Sequence, residues 1–279
     1  PFFGNYMTDA SGTRLSNNSF ICASNHIARF VNGVSTEIIP GSGRFYPGVI
    51  DARRGRMWRL SGGTVKGVTQ GATSGTPEAS NPVSFLGYYS FVPYTTTYNG
   101  AVAIPTSSYA QTLPMSASAG VIMTKAEAEF LQAEAAVRYP AWFGGASTHF
   151  TNGVTDAFAI YGLTTAGTYL TAIASKPGLG WTASTTDALK YEAIMTQKWL
   201  ATMHFNAIDS FIDYNRTGYP LTPLALTASQ SRKPRRLIYP VSEYVANSAN
   251  VPNVTSTQIF AASDASHPFW MLGDPALGN

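Results

Sequence analysis

Cysteine and long apolar runs are both scarce in this sequence. The 279 residues include a single cysteine, Cys22, which excludes an internal disulfide and a cysteine-ligated zinc ribbon. Cys22 lies in the apolar stretch 20–23, so we expect a buried and inert thiol. No apolar run reaches the roughly 18 residues that a membrane-spanning helix requires.

Charge is also sparse. Charged residues make up 12% of the chain, and 18 basic against 15 acidic residues give a formal net charge of +3. So small an excess disfavours a surface that neutralises a nucleic-acid backbone. Basic residues cluster within 232–236 and around Trp58, at Arg53, Arg54, Arg56 and Arg59. No nucleic-acid-binding motif accompanies them, so we predict structural ion pairs and no nucleic-acid partner.

The sequence signatures of common enzymes are missing as well. There is no GxSxG, SxxK, HExxH, Walker A or GxGxxG motif. Asp209 and Asp213 lie four residues apart, a carboxylate pair that a glycoside hydrolase would need to place across a cleft. An ion pair between Asp213 and Arg216 is the interpretation we favour. The four histidines (His26, His149, His204 and His267) lack the spacing of metal ligands, so we predict packing or surface roles for them and no metal site.

The chain divides into two parts by pattern. Residues 1–122 are rich in Gly, Pro, Ser, Thr, Asn and Tyr, which predicts long irregular loops with little β-strand. Long loops in a compact protein are usually functional, so we interpret this part as the ligand-facing one. Residues 123–279 carry the helical patterns, and we expect the two parts to form one structural unit.

The helical patterns begin with a predicted capping box formed by Thr124 and Glu127. Two shorter helices are predicted to end at Gly162 and before Pro177. Helix starts near residues 124, 153 and 187 have roughly the spacing of a tetratricopeptide unit.

The strongest periodicity runs from Leu189 to Tyr214, where apolar residues recur every three or four positions. It predicts one helix of about seven turns. Gly218 and then Pro220 are the residues expected just beyond its end.

Aromatic residues make up 13% of the chain and are frequent in the loops. A flat ring can cover the apolar face of a pyranose while neighbouring hydroxyl and amide groups bind its hydroxyls. The alternative, that each ring only packs a small hydrophobic cluster of its own loop, stays open. The residues that we predict to contact a ligand are Tyr46, Trp58, Tyr88, Tyr89, Tyr94 and Tyr98.

A family resemblance appears towards the carboxy terminus. The chain reads QKWL at 197–200, DYNRTGYP at 213–220 and RRLIYP at 235–240, followed by Glu243 and Asn247. This order resembles the signature of the SusD/RagB family, the surface nutrient-binding lipoproteins of Bacteroidetes. Asn215 stands where that family commonly has the first of two arginines. Other family elements resemble 47–53, 123–138, 150–162 and 269–270, so the likeness covers nearly the whole chain.

The resemblance implies a mostly α fold: a SusD-like, tetratricopeptide-like helical scaffold with long irregular loops. It implies capture of an oligosaccharide at the external face of the outer membrane and delivery to a SusC-like TonB-dependent transporter barrel. The resemblance further implies that the protein is not an enzyme and requires no cofactor. It also implies that four motif residues connect the tail to the helical core instead of binding ligand: Arg216, Arg236, Tyr239 and Glu243. Family members are close to twice this length, so we expect the amino-terminal half, with its signal peptide and lipid anchor, to lie outside this chain.

Three alternatives remain open. The ligand could be a peptide, with Arg56 and Arg59 binding its termini. A glycoside hydrolase using Asp209 or Asp213 would release reducing ends from a polysaccharide. A subunit with a purely structural role in the transporter would bind the barrel and no nutrient.

Overall fold

The protein is mostly α-helical, as predicted. The computed structural model describes residues 21–72, 83–87 and 120–271. In the described stretches of the loop-rich part, two short helices interrupt the loops: α1 (Asn25–Val31) and α2 (Arg54–Met57). The loops pair only through isolated β-bridges in the described ranges, for example Trp58 with Leu86.

The second part is a set of packed helices followed by a tail. Its long helices are α3 (Lys125–Arg138), α4 (Ala146–Ala159), α5 (Ala166–Ile173), α6 (Asp187–Thr202) and α7 (Ala207–Thr217). Helix α3 packs against α4 and α6, α4 also contacts α5 and α6, and α6 contacts α7. Such packing between successive helices is typical of a tetratricopeptide-like scaffold.

The tail carries two short helices and a 3₁₀ turn: α8 (Val241–Ala246), α9 (Ser256–Ile259) and Phe269–Met271. The 3₁₀ turn contacts α7. In the part of the chain that the structure describes, no helix has both the length and the hydropathy to cross a membrane.

The start of α3 follows the predicted cap, although the capping box is only half formed. Thr124 Oγ1 accepts a hydrogen bond from the Glu127 amide at 3.1 Å, as expected of an N-cap residue. The Glu127 carboxylate turns inward instead, where it accepts from Asn206 Nδ2 at 3.4 Å. Glu127 therefore connects α3 with the start of α7.

The single helix predicted from Leu189 to Tyr214 is wrong, because the chain turns between α6 and α7. The amides of Phe205 and Asn206 both donate to the Thr202 carbonyl, at 2.9 and 2.6 Å, and close a tight turn. Asn206 is a residue type that favours helix starts, and the apolar spacing continues through the turn, so periodicity alone does not reveal it. The predicted end is confirmed, since Gly218 follows α7 with a φ of 77°.

One hydrophobic core draws on both parts of the chain. Residues of the loop-rich part such as Val31 and Met57 belong to the same buried cluster as Phe130 and Leu200 of the helices. Cys22 is only half-buried, which corrects the expectation of a fully buried thiol. Partial burial nevertheless raises the pKa of that thiol, which keeps it protonated and unreactive.

The α3–α4 contact generates a stability prediction. A Cβ atom at Gly153 of α4 would come within 2.7 Å of the Phe130 ring, which is fully buried and packs edge-on against the Phe150 ring. We expect Gly153→Ala to lower the free energy of unfolding by about 1–3 kcal/mol, measured by urea denaturation. Gly167→Ala in α5 is the matched control, because nothing lies within 4 Å of the added methyl. An unchanged unfolding midpoint for Gly153→Ala would contradict this close packing.

Candidate functional site

A buried ion pair fastens the loop-rich part to the helices. The fully buried Arg53 guanidinium donates from Nη2 to Asp51 Oδ2 at 2.6 Å and from Nε to Asp51 Oδ1 at 3.0 Å. The same guanidinium lies 4.8 Å from the centroid of the Phe158 ring in α4. Its Nη2 is 3.4 Å from Gln197 Oε1 in α6. The ion pair predicted for Arg53 is therefore confirmed, and it joins the loop to two helices.

The QKW motif makes contacts that join its helix to neighbouring elements. Gln197 Nε2 donates to the Tyr169 hydroxyl at 3.1 Å and to the Leu179 carbonyl at 3.2 Å. Lys198 Nζ lies 2.7 Å from Asp213 Oδ2, which ties α6 to α7. Trp199 packs edge-on against Phe30 of α1, with ring centroids 5.5 Å apart.

Arg216 and the tail motif make separate contacts. Arg216 binds both carboxylate oxygens of Glu134 on α3 and also pairs with Asp213 at 2.8 Å, as its spacing predicted. Arg236 instead donates from Nη1 to the Ser266 carbonyl at 2.9 Å and lies over the Tyr239 ring. Arg216 thus holds the helices together, while Arg236 and Tyr239 stabilise the tail itself.

Two cavities lie on either side of Tyr46. The first, the α6 cavity, has a volume of about 390 Å³, and Arg44, Glu192 and Thr196 are among its lining residues. The second, the α1 cavity, has a volume of about 400 Å³, and His26 and Arg29 are among its lining residues. Tyr46 lines both. Both volumes fall in the range of small-molecule sites.

Both arginines of these two cavities form ion pairs. Arg44 binds both oxygens of the Glu192 carboxylate and donates to the Pro177 carbonyl at 3.1 Å. Arg29 pairs with Glu37 at the α1 cavity. The α1 wall therefore offers fixed polar groups without net charge, whereas Lys176 adds one positive charge to the α6 wall. Fixed polar groups of this kind suit a ligand rich in hydroxyl groups.

His26 adds a neutral polar group to the α1 cavity. Its Nδ1 lies 3.1 Å from the Tyr46 hydroxyl. Burial, helped by the positive charges of Lys233 and Arg29, lowers the pKa of His26 to about 4. The imidazole is therefore uncharged at neutral pH and stays hydrogen-bonded to Tyr46.

The structure describes two of the six predicted ligand-contacting residues. Tyr46 is only 4% exposed, but it lines both cavities. Trp58 lies in the core, packs edge-on against His204 at 4.7 Å and lines none of the three cavities described for this part of the chain. That environment favours a packing role for Trp58, and ligand contact by either ring stays a prediction. Tyr88, Tyr89, Tyr94 and Tyr98 lie outside the described residues.

The other cavity-lining residues were not found from the sequence. Arg44 and Glu192 are 148 positions apart, so no local motif connects them. His26 stands alone in its segment, and isolated histidines are more often packing residues than ligands. The glycine-rich turn at 41–43 was the available signal, because it marks the loop that places Arg44 and Tyr46.

Comparison with known proteins identifies the family. Residues 69–240, more than half of the chain, match a family model described as SusD-like, "Starch-binding associating with outer membrane". The chain belongs to the SusD-like family. None of the curated proteins matches it significantly.

Solved SusD homologues share the fold. A homologue from Bacteroides uniformis is 24% identical, with a TM-score of 0.50 over 72% of this chain and 42% of its own. A chitin-binding homologue from Flavobacterium johnsoniae is 22% identical, with a TM-score of 0.50 over 81% of this chain and 47% of its own. A Bacteroides thetaiotaomicron homologue is 33% identical over 46% of this chain and 32% of its own, with a TM-score of 0.39. The chain thus spans less than half the length of these SusD-like relatives.

The buried pair gives a prediction about the attachment of the loops. Asp51→Asn leaves the Arg53 charge buried without its counterion. We therefore expect the free energy of unfolding, measured by urea denaturation, to fall by about 3–5 kcal/mol. Asp187→Asn serves as the control, because Asp187 forms an exposed pair with Lys190 at 3.3 Å. That variant is expected to lose less than about 1 kcal/mol. Equal losses in the two variants would contradict the special role of Arg53.

The buried histidines predict acid sensitivity. Burial lowers the pKa of His26 to about 4 and that of His204 to about 3, against an ordinary value of 6.5 in the unfolded chain. The unfolded state therefore binds more protons below pH 6.5, and stability falls as the pH drops from 6.5 towards those values. We expect each histidine to lower the free energy of unfolding by about 2 kcal/mol as the pH falls from 7 to 5. Urea denaturation of the wild type and of His26→Gln tests this, since the variant should lose less stability over the same interval.

Proposed function

We propose that this chain is part of a cell-surface nutrient-binding protein that captures oligosaccharides and passes them to a TonB-dependent transporter of the outer membrane. The observation that carries the proposal is the family match over 69–240, whose description combines starch binding with the outer membrane. The structural relative described as chitin-binding supports the same class of ligand. Starch and chitin are both uncharged polysaccharides.

The geometry around Tyr46 supports this class of ligand. Each neighbouring cavity has room for a small part of an oligosaccharide and presents polar side chains held by internal partners. The ion pairs Arg44–Glu192 and Arg29–Glu37 hold polar groups that can form hydrogen bonds with hydroxyl groups. A Tyr ring beside such groups provides an apolar surface for a sugar face.

The family match supports our proposal for the partner and the location. We propose that a SusC-like barrel receives the ligand and that a lipid anchor on a preceding part of the polypeptide holds the protein at the external face. The role is binding and not catalysis. Among the described residues, Asp213 is held by Lys198 and Arg216, and neither Asp209 nor Asp213 lines a described cavity. No observation therefore favours the hydrolase alternative.

Calorimetric titration of the full chain against soluble glycans and peptide digests tests the proposal. Saturable heat with a glycan supports an oligosaccharide-binding protein. Saturable heat with peptides alone would overturn the proposed ligand class. The absence of binding heat with every compound would favour a purely structural subunit. Release of reducing ends from a polysaccharide during incubation would contradict the absence of catalysis.

Tyr46 provides the residue-level prediction. Tyr46→Ala removes the ring between the two cavities, and we expect the affinity for the bound glycan to fall by about 1–4 kcal/mol in the same titration. Tyr139→Ala is the matched control, because Tyr139 is an exposed tyrosine that lines neither cavity. Unchanged affinity after substitution of Tyr46, Trp58, Tyr88, Tyr89, Tyr94 and Tyr98 in turn would overturn the predicted set of ligand contacts.

A further inference from the structure

A cluster of exposed aromatic side chains lies at the turn between α3 and α4. Trp142 is 85% exposed, and Tyr139 and Phe143 are each more than half exposed. We call residues 139–145 the aromatic turn. It lines neither of the cavities beside Tyr46 nor a third, smaller cavity of about 70 Å³ beside the tail. Large apolar side chains that are exposed together mark a surface for contact with another molecule.

The aromatic turn carries its rings on an ordered backbone. The amides of Trp142 and Phe143 both donate to the Tyr139 carbonyl, at 2.9 and 3.0 Å, and close a tight turn. Gly145 has a φ of 72°, a conformation that favours glycine, and leads directly into α4. A surface that is already ordered loses little conformational entropy when a ligand binds.

Hydrogen-bonding groups lie directly beside the rings. Gly145 is the N-cap residue of α4 and has no side chain to accept from the first amides of the helix, which lack intrahelical partners. Ser147 and Thr148, in the same turn of the helix, are exposed. The space next to Gly144 is open, since an added Cβ atom would meet nothing within 4 Å. Amide and hydroxyl groups are therefore available within a few residues of the rings.

The chemistry of the aromatic turn suits a neutral sugar. Residues 139–148 include no aspartate, glutamate, lysine or arginine. A flat ring can cover the apolar face of a pyranose, while amides and hydroxyls beside it bind the sugar oxygens. The exposed face of α7 differs, because the aliphatic residues Ile208 and Ile212 lie beside Phe211. Aromatic rings next to uncharged polar groups therefore distinguish the turn from that face.

One contact connects the aromatic turn with the wall of the α6 cavity. The turn follows Arg138, the last residue of α3, whose guanidinium lies 4.6 Å from the centroid of the Tyr191 ring in α6. The next residue, Glu192, lines the α6 cavity. A linear ligand that leaves this cavity past Tyr191 would thus arrive at the aromatic turn.

We infer that the aromatic turn is a second glycan contact, in which Trp142 and Phe143 pack on sugar units of a chain that also occupies the α6 cavity. This inference rests on the proposed function. Two contacts on one chain reinforce each other, because the second forms intramolecularly once the first is made. The protein therefore prefers chains that span both places. Shorter glycans do not reach the turn, so Tyr139→Ala remains a valid control for the Tyr46 cavities when short glycans are titrated.

Titration with fragments of increasing length tests the second contact. The probes are fragments of starch and of chitin, the polysaccharides named for the family and for a structural relative. We expect the wild-type affinity to rise at the length that first spans the cavity and the turn. Trp142→Ala should bind those longer fragments about tenfold more weakly and short fragments as the wild type does.

Two controls accompany this variant. Because Trp142 is so exposed, Trp142→Ala should keep the urea unfolding midpoint of the wild type. Phe211→Ala is the matched control, since Phe211 is an exposed aromatic residue of α7 outside the turn. It should bind fragments of every length as the wild type does.

Two further variants separate ring stacking from simple apolar contact. Trp142→Phe keeps a flat ring and should retain most of the preference for long fragments. Trp142→Leu keeps apolar surface without a ring and should lose that preference. If Trp142→Leu binds long fragments as tightly as Trp142→Phe does, stacking of the ring on a sugar is overturned.

The outcomes distinguish this inference from the proposed function. Glycan binding that does not depend on length, or a preference for long fragments that survives Trp142→Ala, would overturn the second contact and leave the proposed function intact. Absence of binding of every glycan by the wild type would overturn the proposed function and, with it, the second contact.

Discussion

The burial of the Arg53 guanidinium is the constraint on which the rest of the structure depends. A buried charge is costly unless it is paired and hydrogen-bonded, so Asp51, Gln197 and the Phe158 ring must meet around it. Those partners come from the loop, α6 and α4. Satisfying one cation therefore fixes the position of the loop-rich part against the helices, and with it the loop that carries Arg44 and Tyr46.

Most of the charge in the cavities that Tyr46 lines is paired. At the α6 and α1 cavities each arginine has a carboxylate partner, and Lys176 adds one positive charge to the α6 wall. These pairs join segments that are distant in the chain, so the same contacts that hold the loop also shape the cavity walls.

Much of the fold could be predicted because it depends on neighbours in the chain. The Thr124 cap and the Gly218 terminus are local hydrogen-bonding and backbone preferences that single residues reveal. The turn between α6 and α7 could not be predicted from the apolar spacing, which stays continuous. It depends on Thr202, whose hydroxyl lies 2.6 Å from that of Ser210 once the two helices pack.

The sequence by itself determined the helix-forming segments, the family signature and the pairing of Asp213 with Arg216, because each depends on residues close in the chain. Tertiary structure decided the candidate sites. Arg44 meets Glu192 across 148 positions, and Tyr46 lies between two cavities whose walls come from distant segments. A cavity and its electric potential are properties of what packing brings together, and no local pattern encodes that proximity.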